Sequence, residues 1–144
     1  MAATLASMGT ITENAINGGG STSISMPASI SAGDLLIIVG GNYFGNTYSC
    51  SGWTQLADHN SYTDLFVLAK IAAGGDTATI TTSFGNHYLT VRCFRFTEHG
   101  CATTSDVKLG AITSSADPSS IDTGSSKDWH FLAACFARDG AAET

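Results

Sequence analysis

The chain has 144 residues, enough for one domain with a core of its own. Only 12% of them carry a charge, about half the share of an ordinary soluble domain. Six basic residues stand against twelve acidic ones, and the basic ones (Lys70, Arg92, Arg95, Lys108, Lys127 and Arg138) are scattered; with no stripe to displace counterions from phosphates, nucleic acid is disfavoured as a partner.

Ser, Thr, Gly and Asn replace the missing charge, a composition that suits strands, tight turns and a protein packed in an assembly. Met1 to Asn17 has neither a basic n-region nor a long apolar h-region, so no signal peptide is expected and synthesis is placed in the cytoplasm. No run approaches the roughly 18 consecutive apolar residues of a membrane helix, so membrane insertion is not expected. The four cysteines (Cys50, Cys93, Cys101 and Cys135) lack CxxC spacing and read as buried free thiols rather than a zinc site.

In chain order, Thr4 to Thr12 mixes small and apolar residues and reads as a first edge strand, closed by Gly18-Gly19-Gly20. Ser21 to Met26 alternates, with Ile24 and Met26 on one face, as a half-buried strand does. Pro27 ends its ladder, and Ile30 to Gly33 turns the chain into the run Leu35 to Gly41. That run has no polar side chain and is too rich in Ile and Val for a good helix, so it is expected as the central strand, buried on both faces.

The segment Asn42 to Tyr48 sets three aromatics among turn formers. Asn42, Tyr43, Phe44, Asn46 and Tyr48 are candidate contacts to a partner surface or a glycan; the competing reading has the aromatics capping the end of the sandwich. Trp53 and Leu56 are expected to pack inward. Asp58, Asn60 and Asp64 have the spacing of a calcium loop, but Thr63 and Ala69 stand where its glycine and glutamate belong, so a polar hairpin turn is the expected structure and no metal is assigned. Leu65 to Ile71 and Thr77 to Thr82, the latter with Ala78 and Ile80 inward, are expected to form a hairpin about Ala73-Gly74-Gly75-Asp76. His87 to Phe96 is a long strand whose inward face shifts from Leu89, Val91 and Cys93 to Phe94 and Phe96. The shift predicts a β-bulge, with Arg92 and Arg95 both outward.

The last third echoes the first. Pro118 to Gly124 matches Pro27 to Gly33, and each precedes an apolar run, the second being Trp129 to Ala137 after a three-residue insertion. Two arrangements account for the echo: one sandwich that uses similar hairpins twice, or a two-module polypeptide cut short. The expected fold is all-β, a single antiparallel and jelly-roll-like β-sandwich over 1–144. In it 1–20 forms an N-terminal arm or edge strand, and 112–144 echoes 21–41.

Pro27, Gly33-Asp34-Leu35-Leu36, Gly52-Trp53-Thr54-Gln55-Leu56, Leu65 to Lys70, and Gly74-Gly75-Asp76 with Thr79-Ile80-Thr81 together resemble a β-sandwich module of bacteriophage and prophage structural proteins. Such modules occur in tail fibres, baseplate appendages and capsid-surface proteins. The resemblance covers 21–97 best and implies a virion setting with other virion proteins as partners. It brings no catalytic residues or cofactors. The short C-terminus leaves open whether the domain closes its own sheets or borrows a neighbour's strand.

No G-x-S-x-G, H-E-x-x-H or phosphate-binding glycine loop occurs, and His59, His87, His99 and His130 lie far apart, so no enzymatic activity is expected. Two binding functions follow. One is a head decoration or capsid-associated protein that packs against the shell or symmetry mates. The other is a tail-fibre or receptor-binding module whose Tyr43, Phe44 and Tyr48 meet a host-surface glycan. Both predict a homo-oligomer.

Overall fold

The computed structural model describes residues 3–16, 20–43, 47–59, 63–82 and 87–110. Within them the chain forms nine strands: β1 (Thr4–Met8), β2 (Thr12–Ile16), β3 (Gly20–Ser23), β4 (Leu35–Tyr43), β5 (Tyr48–Ser49), β6 (Thr54–His59), β7 (Thr63–Ile71), β8 (Thr79–Thr82) and β9 (His87–Thr97). A 3-10 turn, Thr104–Asp106, follows. All pairings are antiparallel. The larger sheet has the order β1-β9-β4-β7-β6, with β2 also on β9; the smaller has the order β3-β8-β5. Only the β1–β2 and β6–β7 connections stay within one sheet; the other connections between described strands cross the sandwich.

The centre of the larger sheet is β4, held by β7 on one side and β9 on the other. Alternation along it sends Leu36 and Ile38 into the layer between the sheets, where both are fully buried with Phe66, Leu68, Ile80, Leu89, Val91 and Cys93. Leu35, Ile37 and Val39 point the other way and are also buried, packed with Val67 and Phe96. A strand enclosed on both faces must be apolar at every position, which accounts for its unbroken run. At Gly40 the missing side chain admits the Phe66 ring, which lies where a Cβ would be and stacks on Tyr48 with ring centroids 4.3 Å apart.

The expected hairpin of Leu65–Ile71 with Thr77–Thr82 does not form: β7 pairs with β4 and β6, and β8 with β3 and β5 in the other sheet. The turn has the expected left-handed glycines, Gly74 (φ 99) and Gly75 (φ 66). However, just past the end of β7 the backbone groups are already taken, since Ala72 N–H donates to the Asp34 carbonyl and Gly33 N–H to that of Ala72. Asp76 then closes the turn by accepting from the N–H groups of Ala73 and Gly74 while pairing with Lys70 at 2.6 Å. The chain leaves across the sandwich instead of folding back.

The expected bulge in β9 is also absent. Its register with β4 is continuous from Leu35↔Phe96 to Gly41↔Thr90, so Cys93 and Val91 face inward while Phe94, Phe96 and Arg92 face outward. What reads as a slip is regular alternation in a strand with apolar neighbours on both faces. The irregularity lies instead in β1, where the register shifts between Leu5 and Ser7, and in β6, between Gln55 and Ala57. Arg95 consequently lies on the inward side, at the rim of the sandwich, and not outward with Arg92. Leu56, at the β6 bulge, packs against the outward cluster, whereas Trp53 packs against the inner one. The alternating segment from Ser21 is strand only to Ser23, though Ile24 keeps the ladder's spacing by donating its N–H to the Ala78 carbonyl.

Candidate functional site

Of the residues singled out as contacts, Tyr48 is a core residue: it is 2% exposed and stacked on Phe66. Asn42 and Tyr43 end β4, across from Asp64 and Thr63. Phe44 and Asn46 lie outside the described residues, and so do Asn60, His130, Cys135 and the run Trp129 to Ala137. The structure thus separates Tyr48 from the group.

A polar grouping surrounds Asp34, just before β4 begins. Asp34 Oδ2 accepts from Arg95 Nε at 2.6 Å and from Ser31 N–H at 2.7 Å. Arg95 also donates to the Ala28 carbonyl at 3.4 Å. Burial on its own would raise the Asp34 carboxyl, but the Ser31 amide, the Arg95 guanidinium and the nearby His99 outweigh it and hold the group below its ordinary range. His99 Nε2 lies 2.8 Å from the Gly33 carbonyl, and its Nδ1 accepts the Cys101 N–H at 3.0 Å. Both ring nitrogens are occupied by backbone, and the carboxylate by a cation and an amide. The grouping clamps the 28–34 turn and the 99–101 segment to the rim.

Two other carboxylates serve turns. Asp76 is held low by Lys70 despite its burial, and Asp106 by the N–H groups of Thr103 and Ala102 at 2.9 Å. Asp58 accepts from Gln55 within β6 at 3.0 Å. Among the described residues no three His, Cys, Asp or Glu side chains are grouped to hold a metal, and no helix is long and apolar enough to cross a membrane. Cys50 and Cys93 are buried free thiols in the inner layer, and Cys101 is a half-buried free thiol on the outward one.

The feature that stands out is the outer edge of the larger sheet. β1 ends the strand order, and Leu5, Met8 and Ile11 are 43%, 46% and 55% exposed. Leu5 and Met8 pair with Phe96 and Phe94 and so continue the outward apolar face to its rim. From Ala3 to Thr12 there is no charged residue and no proline. Natural edge strands usually carry such residues to discourage pairing, and this one carries neither. Behind it, Arg92 anchors the β1–β2 junction through a 2.9 Å bond to the Gly9 carbonyl and lies 5.9 Å over the Phe94 ring.

No family model matches the chain, and no curated protein or solved structure matches it either.

Proposed function

We propose that this chain is a non-enzymatic structural module that works by packing in regular copies, as a head decoration or capsid-surface protein of a bacteriophage particle. The observation that supports packing is the uncharged β1 edge with its exposed Leu5, Met8 and Ile11. The phage setting rests on the resemblance of residues 21–97 to virion β-sandwich modules. Low charge over the whole chain supports the same reading, because a Ser, Thr and Gly surface is ordered between neighbours at smaller entropic cost than lysines and glutamates. The receptor-binding alternative retains Asn42, Tyr43, Phe44 and Asn46 as its contacts and loses Tyr48 to the core.

The test is sedimentation and particle binding of the full chain beside a Leu5→Lys/Met8→Lys variant. The expected result is self-association, or binding to capsids, that the variant loses while its circular dichroism is unchanged. A wild-type chain that stays monomeric and ignores capsids overturns the proposal.

A further inference from the structure

His99 stands just past the end of β9 and joins two segments of the rim. Its Nε2 lies 2.8 Å from the Gly33 carbonyl, and its Nδ1 accepts the N–H of Cys101, two residues on, at 3.0 Å. The second contact has the form of an Asx turn, with imidazole in place of the carbonyl oxygen that Asn would supply. It differs from an Asx turn in one respect. Neutral imidazole has one acceptor nitrogen, whereas imidazolium carries N–H at both positions and accepts nowhere. A proton taken up at Nδ1 therefore sets N–H against N–H and leaves the Cys101 amide without its acceptor. The contact to the Gly33 carbonyl survives, because imidazolium donates from Nε2.

The backbone around the ring is poised to change when that bond goes. Glu98 (φ 55) and Gly100 (φ 66) flank His99, both in the left-handed region. Glycine adopts that conformation freely, but Glu98 carries a Cβ and is held there at a cost. Past the turn, Cys101 and Val107 pack on the outward cluster of the larger sheet, and the Thr104 hydroxyl bonds that of Thr54 at 3.1 Å. The segment 99–107 is thus a strap on that face, fastened at its start through His99. The ring is half-buried, within reach of solvent protons. Among the described residues, the charged groups around it are Asp34 on the 28–34 turn, Arg95 on β9, Glu98 beside it in the chain, and Asp106, which lies near Cys101. The carboxylates favour a charged ring, yet Asp34 is engaged by Arg95 and the Ser31 N–H, and Asp106 by the N–H groups of Ala102 and Thr103.

We infer that His99 is an acid-released latch: its neutral ring pins the Cys101 amide and closes the 98–101 turn, and its protonation opens the turn and loosens the strap 101–107 on the outer face. The closed arrangement excludes a proton from Nδ1 and the open one admits it, so acid shifts the population toward the open arrangement. The inference is independent of the assembly reading, since it uses no residue of β1.

The experiment is amide hydrogen exchange by NMR on the full chain, corrected for intrinsic exchange, between about pH 7.5 and pH 5, where histidines change charge. Protection at Cys101 is expected to fall several-fold toward pH 5, as the loss of one hydrogen bond implies, while Ile38 in β4 keeps its protection. His99→Asn retains an acceptor for the Cys101 N–H and removes the titration, so its Cys101 protection should hold constant over the same range. Unchanged wild-type protection overturns the inference. So does an equal fall at Ile38, which marks global unfolding, or the same fall in His99→Asn, which assigns the titration to another group. A second readout needs no variant: the Cys101 amide proton shift should move with the same midpoint as the His99 ring signals, and a different midpoint overturns the inference.

Discussion

Replacing Gly40 by alanine tests the packing at the centre of the sandwich. A Cβ built there would lie 2.2, 2.7 and 3.0 Å from three atoms of the Phe66 ring, well inside van der Waals contact. The ring has little room to yield: Phe66 is 0% exposed, Tyr48 stacks on one side, and Gly40 and Phe66 are register partners in adjacent strands. Overpacking of this kind costs about 1–3 kcal/mol, against which alanine recovers roughly 0.5–1 kcal/mol of backbone entropy. The net expectation is a loss of about 1–2 kcal/mol, or a fall of roughly 2–8 °C in Tm for a chain of this size. Urea unfolding should show a lower midpoint at unchanged slope. Phe66→Leu should then rescue part of the loss, so that the double variant is more stable than the sum of the single effects by 0.5 kcal/mol or more, as contacting residues couple. A Gly40→Ala chain as stable as wild type, or effects that simply add, would refute the reasoning that ring and backbone contend for one space.

Asp34→Asn leaves Arg95 without its anion at a site where the two side chains are only 9% and 15% exposed. A loss of about 2–3 kcal/mol is expected in chemical unfolding, toward the low end for a buried pair because some solvent contact remains. Because the folded state holds Asp34 below its ordinary value, its contribution is fully present above about pH 4 and declines as pH falls through the lower folded value. The variant should lose that part of the acid dependence, and identical pH profiles would contradict the assignment. Cys93 is fully buried, and burial, with Cys50 nearby, pushes its thiol up to about 12. It should stay unmodified by iodoacetamide in the native chain while Cys101 reacts, and be modified on unfolding; mass spectrometry showing equal native labelling would sink the assignment.

Much of the candidate surface was written in the sequence without being conspicuous there. The lack of charge between Ala3 and Thr12 was legible, but which of its apolar residues face solvent was not, because that depends on where β1 shifts register against β9. Tyr48 shows the opposite failure. Its neighbours Asn46 and Thr47 suggested a polar loop, yet the ring stacks on Phe66, which itself occupies the space that Gly40 leaves on the strand beside it.

By itself the sequence determined the all-β class, the central place of Leu35 to Gly41 and the glycine turn at 73–76. These follow from local chemistry: β-branched runs, period-2 alternation, and glycines that accept a positive φ. Only the tertiary structure decided which sheet each strand joined and which face of β9 was inward. The hydrogen bonds of Ala72 and Gly33 send β8 to the far sheet, and Asp34 draws Arg95 to the inner rim. Such choices depend on partners some forty to sixty residues away, and alternation cannot identify the inward face of a strand that is apolar on both sides.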